Sequence, residues 1–391
     1  KLNMDKMERV YFDHNATTRV DDEVLDAMMP YFQNKFGNPS SGHNLGIAGR
    51  QAINQARKQV ADSIEVQPSQ VVFTSGGSEA NNLFIQGAVG HLKTSRIIVS
   101  SIEHPCVLRP AKELAQNTNK EWGLRQLIVD SSGRIVMSDV DKALSEYPPS
   151  IVSVMLANNE TGVIQEVATI AEKSRKLDAL VHTDAIQAFG KIPVSFSSLN
   201  VHAMTLSSHK IYGPKGAAAL IMDKELVLRP QIFGGGHESG LRSGTENVPA
   251  IVGFGKACEL SKIRMEKTTI HVTKLRTHLE RRLVEMGAII FGMHATRLPN
   301  TCYFALPDIE GETLVIRLER AGFSIASGAA CSSATPGRSH VLDAMGVEPI
   351  LARCAVRLSL GSSNTLEQVD EFIRALTVTV KELKRISSVM I

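Results

Sequence analysis

The chain has 391 residues, 43% of them hydrophobic and 21% charged, with Lys+Arg 43 against Asp+Glu 40 for a formal charge of +3. This is the composition of a soluble globular protein of two or three domains, without the basic excess of a general nucleic-acid binder. Five cysteines, none in a C-x-x-C pair, are too few and too scattered for a disulfide framework or a structural zinc site, so no metal is expected.

Lys1–Val10 is charged and has no apolar core of a secretory signal, and no run approaches the ~18 apolar residues of a membrane span. A cytoplasmic location with reduced thiols is the expectation. From about residue 50 to 225, short apolar runs alternate with amphipathic stretches. Val71–Phe73, Ile97–Ser100, Ile151–Leu156, Leu180–His182, Ala203–Leu206 and Ala217–Met222 read as buried strands, with helices such as Glu79–Val89 and Glu166–Arg175 between them. That alternation predicts an α/β domain on a mainly parallel sheet, with its ligands beyond the carboxyl ends of the strands. Leu275, Leu279 and Leu283 mark a long helix within Glu259–Met286. An edge-like strand (Asn300–Phe304), a helix (Glu312–Ala321), a small-residue loop (Ser324–Ser339), a strand (Ala355–Leu360) and a last helix (Leu366–Ile386) describe a smaller α+β domain.

The unusual residues fall just after the predicted strands. Asp184 precedes Lys210 by 26 residues, the length of one helix and one strand in a βαβ unit. An aspartate and a lysine brought to one sheet edge suit pyridoxal 5′-phosphate. The lysine forms a Schiff base, and the carboxylate keeps the pyridine nitrogen protonated. Taken singly, each reads as well as a helix cap or a solvent-facing lysine. Phe73–Ala80 is a strand, a glycine turn and a helix start, where N–H groups and the Ser78 hydroxyl face an anion. It lacks the Walker lysine and the G-x-G-x-x-G fingerprint, which disfavours a nucleotide. His104, in Ser-Ile-Glu-His-Pro, reads as a turn residue or as a ring that stacks on a planar cofactor or shuttles protons. Asn158–Gly162 is a polar turn able to orient a ring hydroxyl or a substrate.

In order and wording, Asn15–Thr18, Phe36–Ser40, Thr74–Ala80, Glu103-His104, Asn158–Gly162, His182–Gln187, Ser207–Gly216, Gly234–Asn247 and Ser327–Ser333 resemble the cysteine desulfurases. These NifS/IscS-like enzymes supply sulfur for iron–sulfur clusters. The resemblance runs from about Val10 to Leu383. It implies a fold-type I (aspartate aminotransferase-like) large domain at 15–260 and a small domain made of 1–14 and 261–391. It also implies a homodimer using pyridoxal 5′-phosphate on L-cysteine, and a sulfur-accepting or scaffold protein as partner.

The resemblance further implies that Lys210 holds the cofactor, Asp184 pairs with its ring nitrogen, Gln187 contacts the ring hydroxyl and His104 stacks on the ring. Gly77, Ser78, Ser207 and His209 would hold the phosphate, and Thr245 would reach the phosphate in the partner subunit. Asn159 would lie beside cofactor and substrate, and Arg357 would clamp the substrate carboxylate, a task suited to its fork of donors. Cys331, among small neighbours, would take the sulfur as a persulfide and leave alanine, with His104 a candidate to assist the thiol. Cys106, Cys258, Cys302 and Cys354 read as packing residues. Three departures stand out: Ser78 where many members have threonine, Ala329 for a common serine, and Thr335–His340 in place of the usual sequence after the cysteine. The rival readings are a selenocysteine lyase or an aminotransferase on the same fold, and a non-catalytic sulfur-relay scaffold.

Overall fold

A computed structural model of the chain describes residues 9–89, 92, 96–117, 123–146, 149–327 and 339–389. The strands in chain order are β1 (Val10–Tyr11), β2 (Val71–Thr74), β3 (Arg96–Ser100), β4 (Gly123–Leu127), β5 (Ile151–Ser153), β6 (Leu180–Asp184) and β7 (Ala203–Ser207). They continue with β8 (Ala218–Met222), β9 (Ile289–Ile290), β10 (Thr301–Ala305), β11 (Phe323–Ser324), β12 (Ala326–Ser327) and β13 (Ala355–Ser359).

Seven strands form one sheet in the order β2-β8-β7-β6-β5-β3-β4. Only β8 runs against its neighbours, so β2, β7, β6, β5, β3 and β4 all end at the same edge. Strands β2, β5, β7 and β8 are buried at every position, as expected of a sheet covered by helices on both faces. One apolar core lies under each face: Val71, Ile98, Val152, Val181 and Met204 on one side, and Val72, Ile97, Val99, Ile151 and Leu220 on the other. The period-2 alternation of a strand divides them in this way. Strand β4 was not anticipated. Its Gly-Leu-Arg-Gln-Leu sequence has one buried residue and stands at the sheet edge, where a weak apolar pattern suffices.

The second sheet has the order β12-β13-β10-β9. Strand β10, expected at an edge, instead sits between β13 and β9. All five of its residues are buried, and they serve both faces. Cys302 and Phe304 join Val356, Leu358, Phe372 and Leu376 in a separate core, while Tyr303, Ala305 and Ala355 turn towards the core of the large sheet.

The long helix begins earlier than the leucine spacing suggests. It runs Val248–Glu285, capped by the Asn247 side chain with Pro249 in its first turn. It passes through residues 260 and 261 without interruption, contributing Ile251, Phe254 and Cys258 to one core of the large sheet and Val272, Leu275, Leu279 and Leu283 to the separate core of the four-stranded sheet. Among the described residues no helix is long and apolar enough to cross a membrane.

Candidate active site

The shared carboxyl edge gathers most of the residues singled out above. After β2 the chain turns through Ser75-Gly76 into the helix Gly77–Val89, whose first N–H groups face this edge. A Cβ on Gly77 would lie 2.2 Å from Ile186 Cδ1, so the turn is packed directly against the loop that follows Asp184. Glu79 accepts a hydrogen bond from Ser75 N at 2.9 Å and pairs with Arg242 Nε at 2.9 Å. The phosphate-type turn is thereby tied to the 241–247 loop, on which Thr245 is exposed.

Asp184 ends β6. Its Oδ1 accepts from Ile186 N at 3.0 Å and its Oδ2 from Asn81 Nδ2 at 2.8 Å. Burial raises its pKa against these hydrogen bonds and the attraction of His104 and Lys210. A buried carboxylate with two amide donors and no ion pair among the described residues suits a protonated ring nitrogen. Ser207, at the end of β7, has a buried hydroxyl with no hydrogen-bond partner among the described residues. A phosphate oxygen would supply one. These two observations fit pyridoxal 5′-phosphate.

Lys210 follows three residues after Ser207. Its Nζ donates to the carbonyl oxygens of Asn15 at 2.7 Å and Ala16 at 2.5 Å. Gln187 Nε2 donates to the same Asn15 oxygen at 2.9 Å. His209 sits 3.1 Å from Thr17 Oγ1, and burial takes its imidazole down to about 4, so it is neutral. Beneath the site, His182 bridges Ser153 and Thr205 across three strands and stacks on Phe84 at 4.7 Å. Burial pushes its pKa down to about 3; it is a neutral cross-tie in the floor.

His104 stands where β3 gives way to the helix Pro105–Asn117. Its Nδ1 accepts from Cys106 N at 3.2 Å and lies 2.9 Å from Cys106 Sγ. Burial raises the Cys106 thiol to about 12, so the sulfur stays protonated. With two donors facing Nδ1, the ring proton belongs on Nε2, and Nε2 is the nitrogen left for proton traffic. Burial also lowers the His104 pKa. Cys106 is therefore more than a packing residue: it sets the histidine tautomer. Cys258, Cys302 and Cys354 are buried as expected.

Arg357 comes from the other sheet. On β13 the alternation puts Arg357 and Ser359 on the face towards the large sheet, where Ser359 Oγ accepts from Asn15 N at 2.8 Å. Arg357 is 3% exposed, which rules out a surface strand arginine. Its Nη1 donates to Asn159 O at 3.0 Å and its Nη2 to Asp13 Oδ1 at 2.8 Å. Asn159 is thus joined to Arg357 through its backbone. Nearby, Glu160 is fully enclosed and accepts from Ser339 Oγ, and burial raises its pKa. Cys331 falls within residues 328–338, outside those described.

Several residues at the site carry contacts that their sequence gave no means of foreseeing. Asn15 accepts through its backbone from Lys210 and Gln187, accepts through Oδ1 from Lys191 and Asn300, and donates through Nδ2 to Thr301 and Asn159. Glu103, beside His104, is completely buried. Its Oε1 accepts from Met155 N at 2.7 Å while Oε2 has no partner among the described residues, and burial lifts its pKa to about 8.

Comparison with known proteins places the chain in a family. The family model for class-V aminotransferases matches residues 10–372, and the chain belongs to that family. A cysteine desulfurase of Sinorhizobium fredii is 41% identical over 382 residues, 97% of this chain and 98% of its own length. A relative from Dictyoglomus turgidum named cysteine desulfurase IscS is 38% identical, covering 97% and 96%. Among solved structures, a NifS-like protein superposes with a TM-score of 0.89 at 38% identity, covering 95% of this chain and 99% of the other. A protein described as SspA in complex with cysteine has a TM-score of 0.79 at 33% identity, covering 91% and 100%. The fold is that of the fold-type I enzymes, and the cofactor is pyridoxal 5′-phosphate.

Proposed function

We propose that this protein is a cysteine desulfurase, converting L-cysteine to L-alanine and retaining the sulfur as a persulfide on Cys331. The observation that carries this reading is the meeting of Asp184 and Lys210 on one sheet edge with Arg357 from a second sheet, in a chain similar to cysteine desulfurases over nearly its whole length. When bound, the cofactor supplies an aldehyde for amines and a ring that takes up electrons.

The chain's own groups divide the remaining work. Gly77, Ser78, Ser207 and His209 would hold the phosphate, Asp184 would hold a proton at the ring nitrogen, and Gln187 would donate to the ring hydroxyl. His104 would cover the ring, with Nε2 available for proton exchange. Arg357 and Asn159 orient the substrate, the guanidinium taking its carboxylate in a two-point grip. For this Arg357 exchanges or shares the contacts it makes with Asp13 and Asn159 O. The Lys210 amine, released from the Asn15 and Ala16 carbonyls, moves a proton from the substrate Cα.

The Cys331 thiolate then attacks the substrate sulfur. A sulfur–sulfur bond forms, the substrate carbon–sulfur bond breaks, and its electron pair is protonated to give alanine. Thr245, exposed on its loop, is available to the cofactor phosphate of a second subunit in a homodimer. A sulfur-accepting protein, such as an iron–sulfur scaffold, then empties the persulfide. A reducing cytoplasm suits such a thiol.

The test is to incubate the purified protein, loaded with pyridoxal 5′-phosphate, with L-cysteine. Equimolar alanine and one extra sulfur on the peptide containing Cys331 are expected. Alanine without that adduct, or an undiminished rate in Cys331→Ala, would overturn the reading.

A further inference from the structure

Four residues beyond Gln187 lies Lys191, in Gln-Ala-Phe-Gly-Lys. Its stem is partly exposed, but its ammonium is enclosed and donates to Gln187 Oε1 at 2.7 Å and to Asn15 Oδ1 at 2.9 Å. We infer that Lys191 is a positioning residue: it holds the Gln187 amide with its oxygen turned away from the cofactor site, so that only N–H donors face the ring. This rests on the function proposed above.

The chemistry of the neighbours determines the orientation. An ammonium has no acceptor, so the Gln187 atom at 2.7 Å must be oxygen. The Asn15 carbonyl has no donor, so the atom 2.9 Å from it must be nitrogen. Exchanging the two ends of the amide would put donor against donor and acceptor against acceptor. The same ammonium fixes Asn15. With Lys191 and Asn300 Nδ2 both on Oδ1, the Asn15 amide nitrogen is directed to Thr301 Oγ1 at 2.9 Å and Asn159 O at 3.3 Å. The Asn15 backbone oxygen is where the Lys210 amine rests. Lys191 therefore braces two groups around Lys210 without itself reaching the reacting atoms.

A cation here is expensive, since burial pushes the Lys191 pKa well down and the charges of Lys210 and Arg357 push in the same direction. The third titratable group facing it is His14, whose imidazole is taken down to about 4 by burial and by Lys191, and so stays neutral. The lysine would supply orientation together with positive potential beside a bound electron-rich ring.

The experiment uses the holoenzyme and three variants, Lys191→Met, Lys191→Gln and Lys191→Arg. The readouts are the dissociation of pyridoxal 5′-phosphate and the midpoint of the pH-dependent visible absorption of the bound cofactor. Removing the positive charge and the fixed donor should raise that midpoint by about one unit in Lys191→Met. It should also weaken cofactor retention about tenfold. Lys191→Gln, the variant safer for folding, should shift in the same direction, and Lys191→Arg should restore most of both. Combined with Gln187→Leu, the Lys191→Met change should add little, because the two act through one amide.

A midpoint unmoved in Lys191→Met or Lys191→Gln, equal damage in Lys191→Arg, or full additivity with Gln187→Leu would each overturn the inference. Failure of the unaltered protein to bind pyridoxal 5′-phosphate would instead refute the proposed function, which keeps the two failures distinct.

Discussion

The two sheets bring different things to the site by different means. The seven-stranded sheet delivers its residues through topology: six strands end at one edge, so the short loops after β2, β3, β5, β6 and β7 converge without long-range pairing. The four-stranded sheet delivers Arg357 from the middle of a strand, through side-chain alternation across a buried face. A loop residue at a sheet edge is free to vary in length and conformation. A strand-centre residue is locked in register with Tyr303 and Ala326. The first arrangement suits a bulky cofactor with many contacts, the second a single rigid grip on a small substrate.

This contrast is open to direct attack. Lys210→Ala strikes the edge and should have the largest effect. Turnover should fall at least about a thousandfold, and pyridoxal 5′-phosphate should be lost on dialysis, which absorbance would reveal. Cys331→Ala should likewise abolish alanine release from L-cysteine, yet keep the wild-type cofactor spectrum; a changed spectrum would mean the thiol also shapes the cofactor site. Arg357→Lys strikes the second sheet. Replacing a fork of donors by a point charge should lower kcat/KM for L-cysteine about hundredfold, mainly through KM, with cofactor affinity unchanged. Loss of cofactor in this variant would show that the two sheets are not separable in function.

The smallest effect concerns stability. Glu103 has a folded pKa of about 8 against an ordinary 4.5, so between those values the folded state holds a proton that the unfolded chain has released. Its stabilising contribution is complete at low pH and is lost as pH rises towards 8. Glu103→Gln keeps the acceptor for Met155 N and carries no such proton. The Tm advantage of the variant over the wild type should therefore grow by several degrees from about pH 6 to about pH 9. A constant difference would mean that Glu103 is not buried as a neutral acid.

The edge was legible in the sequence because each of its residues follows an apolar run at a fixed short distance. Asp184, Lys210, His104 and the Gly76-Gly77 turn could be placed from strand ends alone. Arg357 was not placeable from its own neighbourhood, where alternation says only that it shares a face with Ala355 and Ser359; whether that face is covered depends on β10 and the large sheet. The unbroken apolar run Cys302–Ala305 was the available sign that β10 is central and not an edge. Asn15 and Lys191 were illegible for another reason. The partners of Asn15 lie far along the chain at Asn159, Lys191, Lys210 and Thr301, and although Lys191 meets Gln187 close by, nothing in its neighbourhood hints at Asn15. Cys106 shows the same limit at short range, since nothing in His-Pro-Cys tells that its thiol and N–H both face Nδ1.

The helix Val248–Glu285 has a mechanical consequence. At 1.5 Å per residue its 38 residues make a rod about 57 Å long, anchored in one core by Phe254 and Cys258 and in the other by Leu275, Leu279 and Leu283. Such a rod couples the two cores mechanically. Heat that melts one core then removes a clamp from the other. The protein is expected to give one calorimetric transition, with its two sheets failing together.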